Sequence, residues 1–473
     1  MMMNILTADL LPFNMQYPIY NFFFPASGVV VEDHVDVEKI LSVANGNARK
    51  RALYMHIPFC DTICSFCPFT RGRVSDVNII ELYVQALINE IEIKSESLHL
   101  SSVPINAVFF GGGTPSIMSA EQITRIGDVL HRNFDLTKVK EFSFEIEVKS
   151  LTPEKAKAMQ RMGVTHPRFG LQTFSKKWRD LFTLTATLDQ IKRSVDILSE
   201  HFSTVSFDIL YGMSGHTEEE LLSDLTQACD TGVSNIDVYP IDNIMTQPSL
   251  HKALSVLNHS PTSATRKFTM NMLVDGYMRS RGYMPHNGHG YRKVGKGNIN
   301  QDVVYTGYRF EYHEHVYGYQ DHDLIGFGAG AISSLQGAKL INTNLRSKYI
   351  SQLARPNNIK DTFQVCKHGS ELDALRPLAL RLPYFGSVDK DRLSFQSMMP
   401  EIKDKVVSLE QAGLVTETET QYVLTKTGWY NYVNVMYYLL PAIEQQAMDG
   451  FIAEQLDGSI RDISEGEIFF RSA

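Results

Sequence analysis

Between about residues 51 and 240, short apolar runs rich in β-branched and aromatic residues alternate with stretches whose apolar positions recur at helical spacing. That rhythm marks successive strand–helix–strand units, and such units build a parallel sheet because each helix returns the chain across a sheet face. Six strands are predicted, at 52–57, 106–110, 141–148, 166–172, 204–210 and 235–240. Helix starts fall between them. Ser119 with Gln122, Thr187 with Gln190 and Thr217 with Glu220 have capping-box spacing, while Thr152 and Pro153 read as an N-cap and a first-turn proline. Six units are too few for a closed eight-stranded barrel and suit a partial one, open on one side.

Alternation within the strands gives the barrel an interior. Phe142, Phe144, Ile146 and Val148 share one face and must pack on helices, so Ser143, Glu145 and Glu147 point inward. The same parity sends Gln172, Asp208, Asp237 and Tyr239 inward, beside outward Leu171, Phe207, Ile209, Ile236 and Val238. Buried carboxylates need partners, either a buried arginine or a ligand rich in hydroxyls and amines. Further on, 399–412 reads as an amphipathic helix ended by Gly413, followed by strands at 414–416 and 422–424 and the aromatic run GWYNYVNVMYYLL. The expected fold is therefore α/β: a partial (βα)6 TIM-like barrel at 51–245, preceded by an N-terminal extension (1–50), completed by a substrate region (246–365) and followed by a winged-helix-like α+β domain (366–473). The aromatic run PIYNFFFPAS in the extension is expected to plug the barrel or trap substrate.

Composition narrows the function. The 473-residue chain carries a net charge of -8 and no Lys/Arg cluster on the winged-helix-like segment, which argues against nucleic-acid binding. No apolar stretch reaches the roughly 18 residues that suggest a membrane span, and the opening MMMNILTADLL lacks the pattern of a secretory signal. A cytoplasmic protein acting on a small molecule is expected. Of five cysteines, Cys60, Cys64 and Cys67 form a CxxxCxxC just after the first strand. Three thiolates so spaced can hold three irons of a 4Fe–4S cluster and leave the fourth without a protein ligand. Structural zinc would want a fourth ligand, and none follows Cys67 closely. Cys229, within a helical pattern, reads as a small buried hydrophobe, and Cys366 stands alone.

The cysteine spacing, with Phe66 before Cys67, resembles the radical S-adenosylmethionine (SAM) signature. The ordered set YMHIPFCDTICSFC, FFGGGTPS, FEIE, RFGLQTFS, FDILYGMSGHT and GFGAGA, over roughly 50–335, resembles the oxygen-independent coproporphyrinogen III oxidase-like radical SAM family. That resemblance implies SAM chelating the open iron and cleaved by one electron to a 5′-deoxyadenosyl radical. It also implies one or two bound SAM molecules, with a flavodoxin or ferredoxin as electron donor, and a monomer is expected. Carried over residue by residue, it places Tyr54 beside the cluster and sulfonium and Phe66 beside the adenine. Gly111 belongs to the glycine run, with Gly112, Gly113 and Thr114 at the methionine end, Glu145 at the ribose or amino group, and Gln172 and Asp208 completing the pocket.

The departures also matter. Leu184 stands where the family pattern usually has an arginine about a dozen residues after the Gln of GxQxF, so a carboxylate clamp is missing or supplied from elsewhere. Ser214 replaces a usual proline, Glu147 and Val148 replace an Asp-Pro or Asn-Pro pair, and Cys67-Pro68-Phe69 replaces the Cys-Gly-Cys of the decarboxylase itself. The leading expectation is carbon modification of an unsaturated or aromatic metabolite, by methyl or methylene transfer from a second SAM. Porphyrinogen decarboxylation and anaerobic haem ring opening stand behind it. A non-catalytic haem chaperone ranks lower, because EYHEHVYGYQDHDLIGFGAGA lacks the Asn and Trp of the chaperone motif. His286, His289, His313, His315 and His322 remain candidates to touch a substrate. The spacing of Tyr305, Tyr308, Tyr312, Tyr317 and Tyr319 suits either a flat aromatic substrate or a β-rich wall.

Overall fold

A computed structural model describes residues 17, 24–31, 39, 49–67, 69, 71–74, 76–97, 103–241, 250, 262–295, 303–354 and 363–456. Its main sheet comprises β1 (Val29–Val31), β2 (Lys50–Ile57), β3 (Ile105–Gly112), β4 (Glu141–Ile146), β5 (His166–Gln172), β6 (Ser206–Tyr211), β7 (Asn235–Pro240), β8 (Tyr283–Pro285), β9 (Gly290–Lys293), β10 (His322–Phe327), β11 (Ile332–Leu335), β12 (Ala338–Asn342) and β13 (Phe363–Lys367). The strand order is β1-β13-β12-β11-β10-β2-β3-β4-β5-β6-β7-β9-β8. All pairings from β10 to β7 are parallel, and both flanks are antiparallel. The six strands expected from the alternation are present, and β10 joins them as a seventh parallel strand on the free side of β2. Its sequence HDLIGF is buried along its whole length and shows no alternation, which is why periodicity passes over it.

Helices α1 (Val77–Ser97), α2 (Ala120–Asn133), α3 (Pro153–Met162), α4 (Leu188–His201) and α5 (Glu218–Asp230) connect the parallel strands. Capping boxes form at Ser119/Gln122, Thr187/Gln190 and Thr217/Glu220, and Thr152 accepts from the Lys155 amide ahead of Pro153. Phe142, Phe144, Ile146, Phe207, Ile209, Ile236 and Val238 enter the core shared by sheet and helices, so the expected parity holds. Strand β4 ends at Ile146, not Val148. Beyond it Glu147 turns its carboxylate to the Ser150 amide at 3.0 Å.

Inside the barrel, Ala52 and Ala107 leave room for the short helix Glu311–Val316, whose Tyr312 stacks on Phe109 with ring centroids 4.4 Å apart. The tyrosine-rich segment around it is loop and helix, so it is not the β-rich wall that its spacing allowed. A second core joins Tyr317 and Tyr319 to Tyr384, Trp429, Tyr432 and the C-terminal helices. In that region the helix Glu401–Gln411 lies in sequence between the first and second strands of a three-stranded sheet made of β14 (Ser387–Asp389), β15 (Val415–Glu417) and β16 (Gln421–Leu424), in the order β14-β16-β15. Helix and hairpin thus appear as expected, with β14 as an added strand. Most of the N-terminal aromatic run lies outside the described residues. Tyr17 stacks on Tyr437 at 4.1 Å, on the C-terminal domain and not in the barrel. No described helix is long and apolar enough to cross a membrane.

Candidate active site

Strand β2 ends directly before the cysteine loop, which its neighbours hold in place. The amide of Val74 donates to the Cys60 carbonyl at 3.1 Å, and the amide of Cys67 donates to the Cys64 carbonyl at 3.2 Å. The end of β3 lies beside it. The Gly113 amide donates to the Ile57 carbonyl at 2.9 Å, and a Cβ on Gly113 would meet the Phe59 main chain at 2.6 Å. Gly112 has φ +106°, and a Cβ there would strike the His56 ring. Only glycine lets these two chain ends approach so closely.

One cavity opens between the two loops and the C-terminal ends of the parallel strands. Cys60, Cys64, Phe66, Cys67, Gly112, Gly113, Thr114, Glu145, Gln172 and Asp208 all line it, so most of the residues singled out along the sequence meet there. Phe66 is held edge-on by Phe182 at 4.9 Å. Two residues depart from expectation. Tyr54 faces the lumen below, where its hydroxyl lies 2.8 Å from His56 Nδ1 and its ring lies beside Tyr312, because it sits three residues before the end of β2. Gly111 lies behind the lining, where a Cβ would be 3.1 Å from Glu145 Oε2.

Burial dominates the electrostatics of the site. Burial pushes the Cys60 and Cys64 thiols up to about 12, and neighbouring thiols reinforce the shift. Loss of their protons therefore needs a metal to take the charge. Among the described residues no three His, Cys, Asp or Glu side chains converge as they would on a single metal ion. The thiols instead share the wall of one cavity, a donor set suited to several irons. Burial raises the Glu145 carboxyl to about 7, against the pull of the Arg168 charge. Gln172 is held at φ +71°, and its buried Oε1 has no partner among the described residues. A ligand with hydroxyl or amine donors would complete it.

Sequence reasoning missed Arg168. Its Nη2 lies 2.8 Å from Asp237 Oδ2 and 3.2 Å from Asp208 Oδ1, and its guanidinium covers the Phe310 ring at 4.9 Å. The buried-arginine alternative thus holds for these two aspartates, although Asp208 still lines the cavity. Arg168 shares the inward parity of Gln172, four residues on, so the strand pattern could have shown it. Below the cavity, His286, His289, His313, Tyr239, Tyr308 and Tyr384 crowd together. Burial pushes His286 and His289 down to about 3, which keeps both rings neutral. His313 Nδ1 lies 2.8 Å from the Tyr384 hydroxyl. Cys229 is buried against Met278, as a small hydrophobe would be, and Cys366 lies on β13.

A parallel partial barrel with three thiols and a glycine turn at the carboxyl ends of its strands defines the radical SAM class. Residues 54–228 match the family model described as the Radical SAM superfamily. These residues therefore form a radical SAM domain, of a superfamily that works with a 4Fe–4S cluster and SAM, and the chain is similar to coproporphyrinogen III oxidase-like proteins. It is 27% identical over 394 residues to anaerobilin synthase of Escherichia coli O157:H7, covering 82% of this chain and 83% of that one. It is 24% identical to the heme chaperone HemW of Bacillus subtilis, over 80% of this chain and 96% of that one. Among solved structures, coproporphyrinogen III oxidase of Escherichia coli, a radical SAM enzyme, superposes with a TM-score of 0.69 at 19% identity over 85% of this chain and 92% of that one, which establishes the shared fold.

Proposed function

We propose that this protein is an enzyme that removes hydrogen from a carbon of a flat, conjugated ring compound, using a radical generated in the cysteine-lined cavity. The observation that carries the reading is the convergence of Cys60, Cys64 and Cys67 with the Gly112–Gly113 turn, Glu145 and Gln172 on a single cavity. A 4Fe–4S cluster held by Cys60, Cys64 and Cys67 would supply the one electron needed for cleavage of bound SAM at its C5′–S bond to methionine and a 5′-deoxyadenosyl radical. The chain's own residues do the rest. Thr114 steadies Cys60, with its Oγ1 3.6 Å from the sulfur. Gly112 and Gly113 admit the methionine end, Phe66 offers a ring face to the adenine, and Glu145, Gln172 and Asp208 take ribose and amino donors.

The substrate class follows from the lumen below. Tyr239, His289, Phe310, Tyr312, His313 and Tyr384 pack there as an aromatic cluster, the kind of neighbourhood that supports a planar ring more readily than a sugar or a peptide. The relatives are named for anaerobilin, heme and coproporphyrinogen, which favours a tetrapyrrole. Ring opening and oxidative decarboxylation are therefore the leading schemes. Methyl or methylene transfer from a second SAM, expected first from the sequence, has no counterpart in those names. Haem carriage without turnover is the competing reading, supported by the chaperone relative. Against it, His286, His289, His315 and His322 are all buried. The proposal includes a cytoplasmic, monomeric protein served by a flavodoxin or ferredoxin, with residues 366–473 acting as a cap over the barrel.

Anaerobically reconstituted protein reduced with dithionite should cleave SAM to 5′-deoxyadenosine, and Cys64→Ala should lose both iron and cleavage. Absence of 5′-deoxyadenosine from cluster-loaded wild type would end the enzymatic reading, and stable haem uptake in its place would establish the carrier. SAM labelled with deuterium in its methyl group separates the schemes, since label enters the product only by methyl or methylene transfer.

A further inference from the structure

Four cationic side chains line the cavity: Arg71, Lys149, Arg168 and Arg179. Three of them are committed. Lys149 Nζ lies 2.5 Å from Asp61 Oδ2 and 3.7 Å from Glu147 Oε1. Arg168 bridges Asp208 and Asp237. Arg179 donates from Nη1 to the carbonyls of Leu171 at 3.1 Å and Thr173 at 2.9 Å, and from Nη2 to the carbonyl of Ala186, so its fork serves the main chain around the strand end. Arg71 differs. Only 2% exposed, it makes one bond, from Nη1 to the Phe69 carbonyl at 2.5 Å, and its Nε and Nη2 have no partner among the described residues. A buried guanidinium with two idle donors is costly unless an anion completes it.

We propose that Arg71 binds the methionyl carboxylate of SAM and so serves as the carboxylate clamp of this site. The inference rests on the reading of the cavity as a SAM site. SAM carries a single anionic group, its carboxylate, and a planar guanidinium fork matches that shape. The metal-binding atoms of SAM are the amine and carboxylate of its amino-acid end, so that end meets the open iron. Arg71 lies four residues past Cys67, its charge acts on Cys60, Cys64 and Cys67 alike, and unlike Lys149 and Arg179 its fork is not taken up by the protein. Leu184, on the opposite side of the sequence motif, also lines the cavity and brings no charge. The anion is therefore recognised from the cluster loop and not from the segment after β5.

The test compares SAM with decarboxylated SAM, which keeps the sulfonium, amine and adenosine but lacks the carboxylate. Binding to the cluster-loaded protein is measured by anaerobic equilibrium dialysis, with iron content and the EPR signal of the reduced cluster recorded for each variant. Wild type should prefer SAM. Arg71→Gln should lower SAM affinity about 10- to 100-fold, the range for a lost charge-assisted bond, with decarboxylated SAM unaffected, and Arg71→Lys should recover part of the preference. Equal loss for both ligands, or an unchanged preference in Arg71→Gln, overturns the assignment. Should Arg71→Gln fail to load a cluster, wild type and Arg71→Lys decide together: equal affinity of wild type for the two ligands, or a preference that Arg71→Lys leaves unchanged, refutes the clamp, and a clear preference for SAM that Arg71→Lys reduces upholds it. Absence of any SAM binding by loaded wild type refutes the site reading itself, a different result from binding without discrimination.

Discussion

Glu141 and Arg168 show how single buried charges set the behaviour of the barrel floor. Glu141 is 2% exposed, accepts from Ser143 Oγ at 2.8 Å and the Glu311 amide at 3.1 Å, and is raised by burial from 4.5 to about 8. A carboxyl whose folded-state value lies above its unfolded one favours the fold while both states are protonated, and that advantage fades as pH rises from about 4.5 to about 8. Glu141→Gln should therefore flatten the decline of the urea midpoint across that window, and parallel pH profiles for variant and wild type would contradict the assignment. Arg168 makes the opposite kind of claim, since it holds buried Asp237 and half-buried Asp208 at once. Arg168→Met should cost about 3–5 kcal/mol in urea unfolding, because Asp208 and Asp237 are left facing each other without a cation.

At the scale of elements, helix α1 anchors the glycine-rich turn after β10 to the strand that carries the cysteine loop. Glu90 accepts from the Gly328 amide at 2.7 Å, Asn342 Nδ2 at 2.7 Å and the Tyr349 hydroxyl at 2.6 Å. It also pairs with Lys94 at 2.6 Å, and Lys94 donates to the Gly326 carbonyl at 2.6 Å. The Tyr83 hydroxyl donates to the His56 carbonyl at 2.8 Å and accepts from the Ala329 amide at 2.8 Å. Gly328 has φ +100°, and a Cβ there would collide with the His56 carbonyl oxygen. The motif GFGAGA therefore has a structural duty, which is to let this turn close on β2. Glu90→Ala should destabilise by about 3–5 kcal/mol because Lys94 is left buried and unpaired, and an unchanged urea midpoint would refute that role.

For the whole molecule, the C-terminal core reaches down to the barrel interior. Tyr384 bonds His313, Tyr432 lies 3.3 Å from His289 Nε2, and a Cβ on Gly288 would be 3.0 Å from both tyrosine rings. Such packing brings the C-terminal core against the barrel interior, where it would help keep water from a radical formed in the proposed site. The double variant Tyr384→Ala/Tyr432→Ala should load its cluster but lose the cluster's visible absorbance faster in air. It should also form more 5′-deoxyadenosine per product than wild type. Wild-type rates on both counts would show that the C-terminal domain does not shield the site.

The sequence by itself determined the features that arise from neighbours along the chain. These are the alternating strands and helices, the capping boxes, the inward parity of Glu145, Gln172 and Asp208, the cysteine spacing and the glycine turn. Each depends on a period or an offset of a few residues, and such local geometry is nearly the same wherever it occurs. Tertiary structure decided what depends on contacts across the fold. It placed β10 beside β2, inserted Tyr312 and His313 into the lumen, and gave Asp208 and Asp237 a shared arginine. It also left Arg71 as the cation with idle donors at the cysteine loop. Which charges neutralise one another is settled only when distant strands lie side by side, because burial and distance fix a buried ion's energy and neither is a property of sequence spacing.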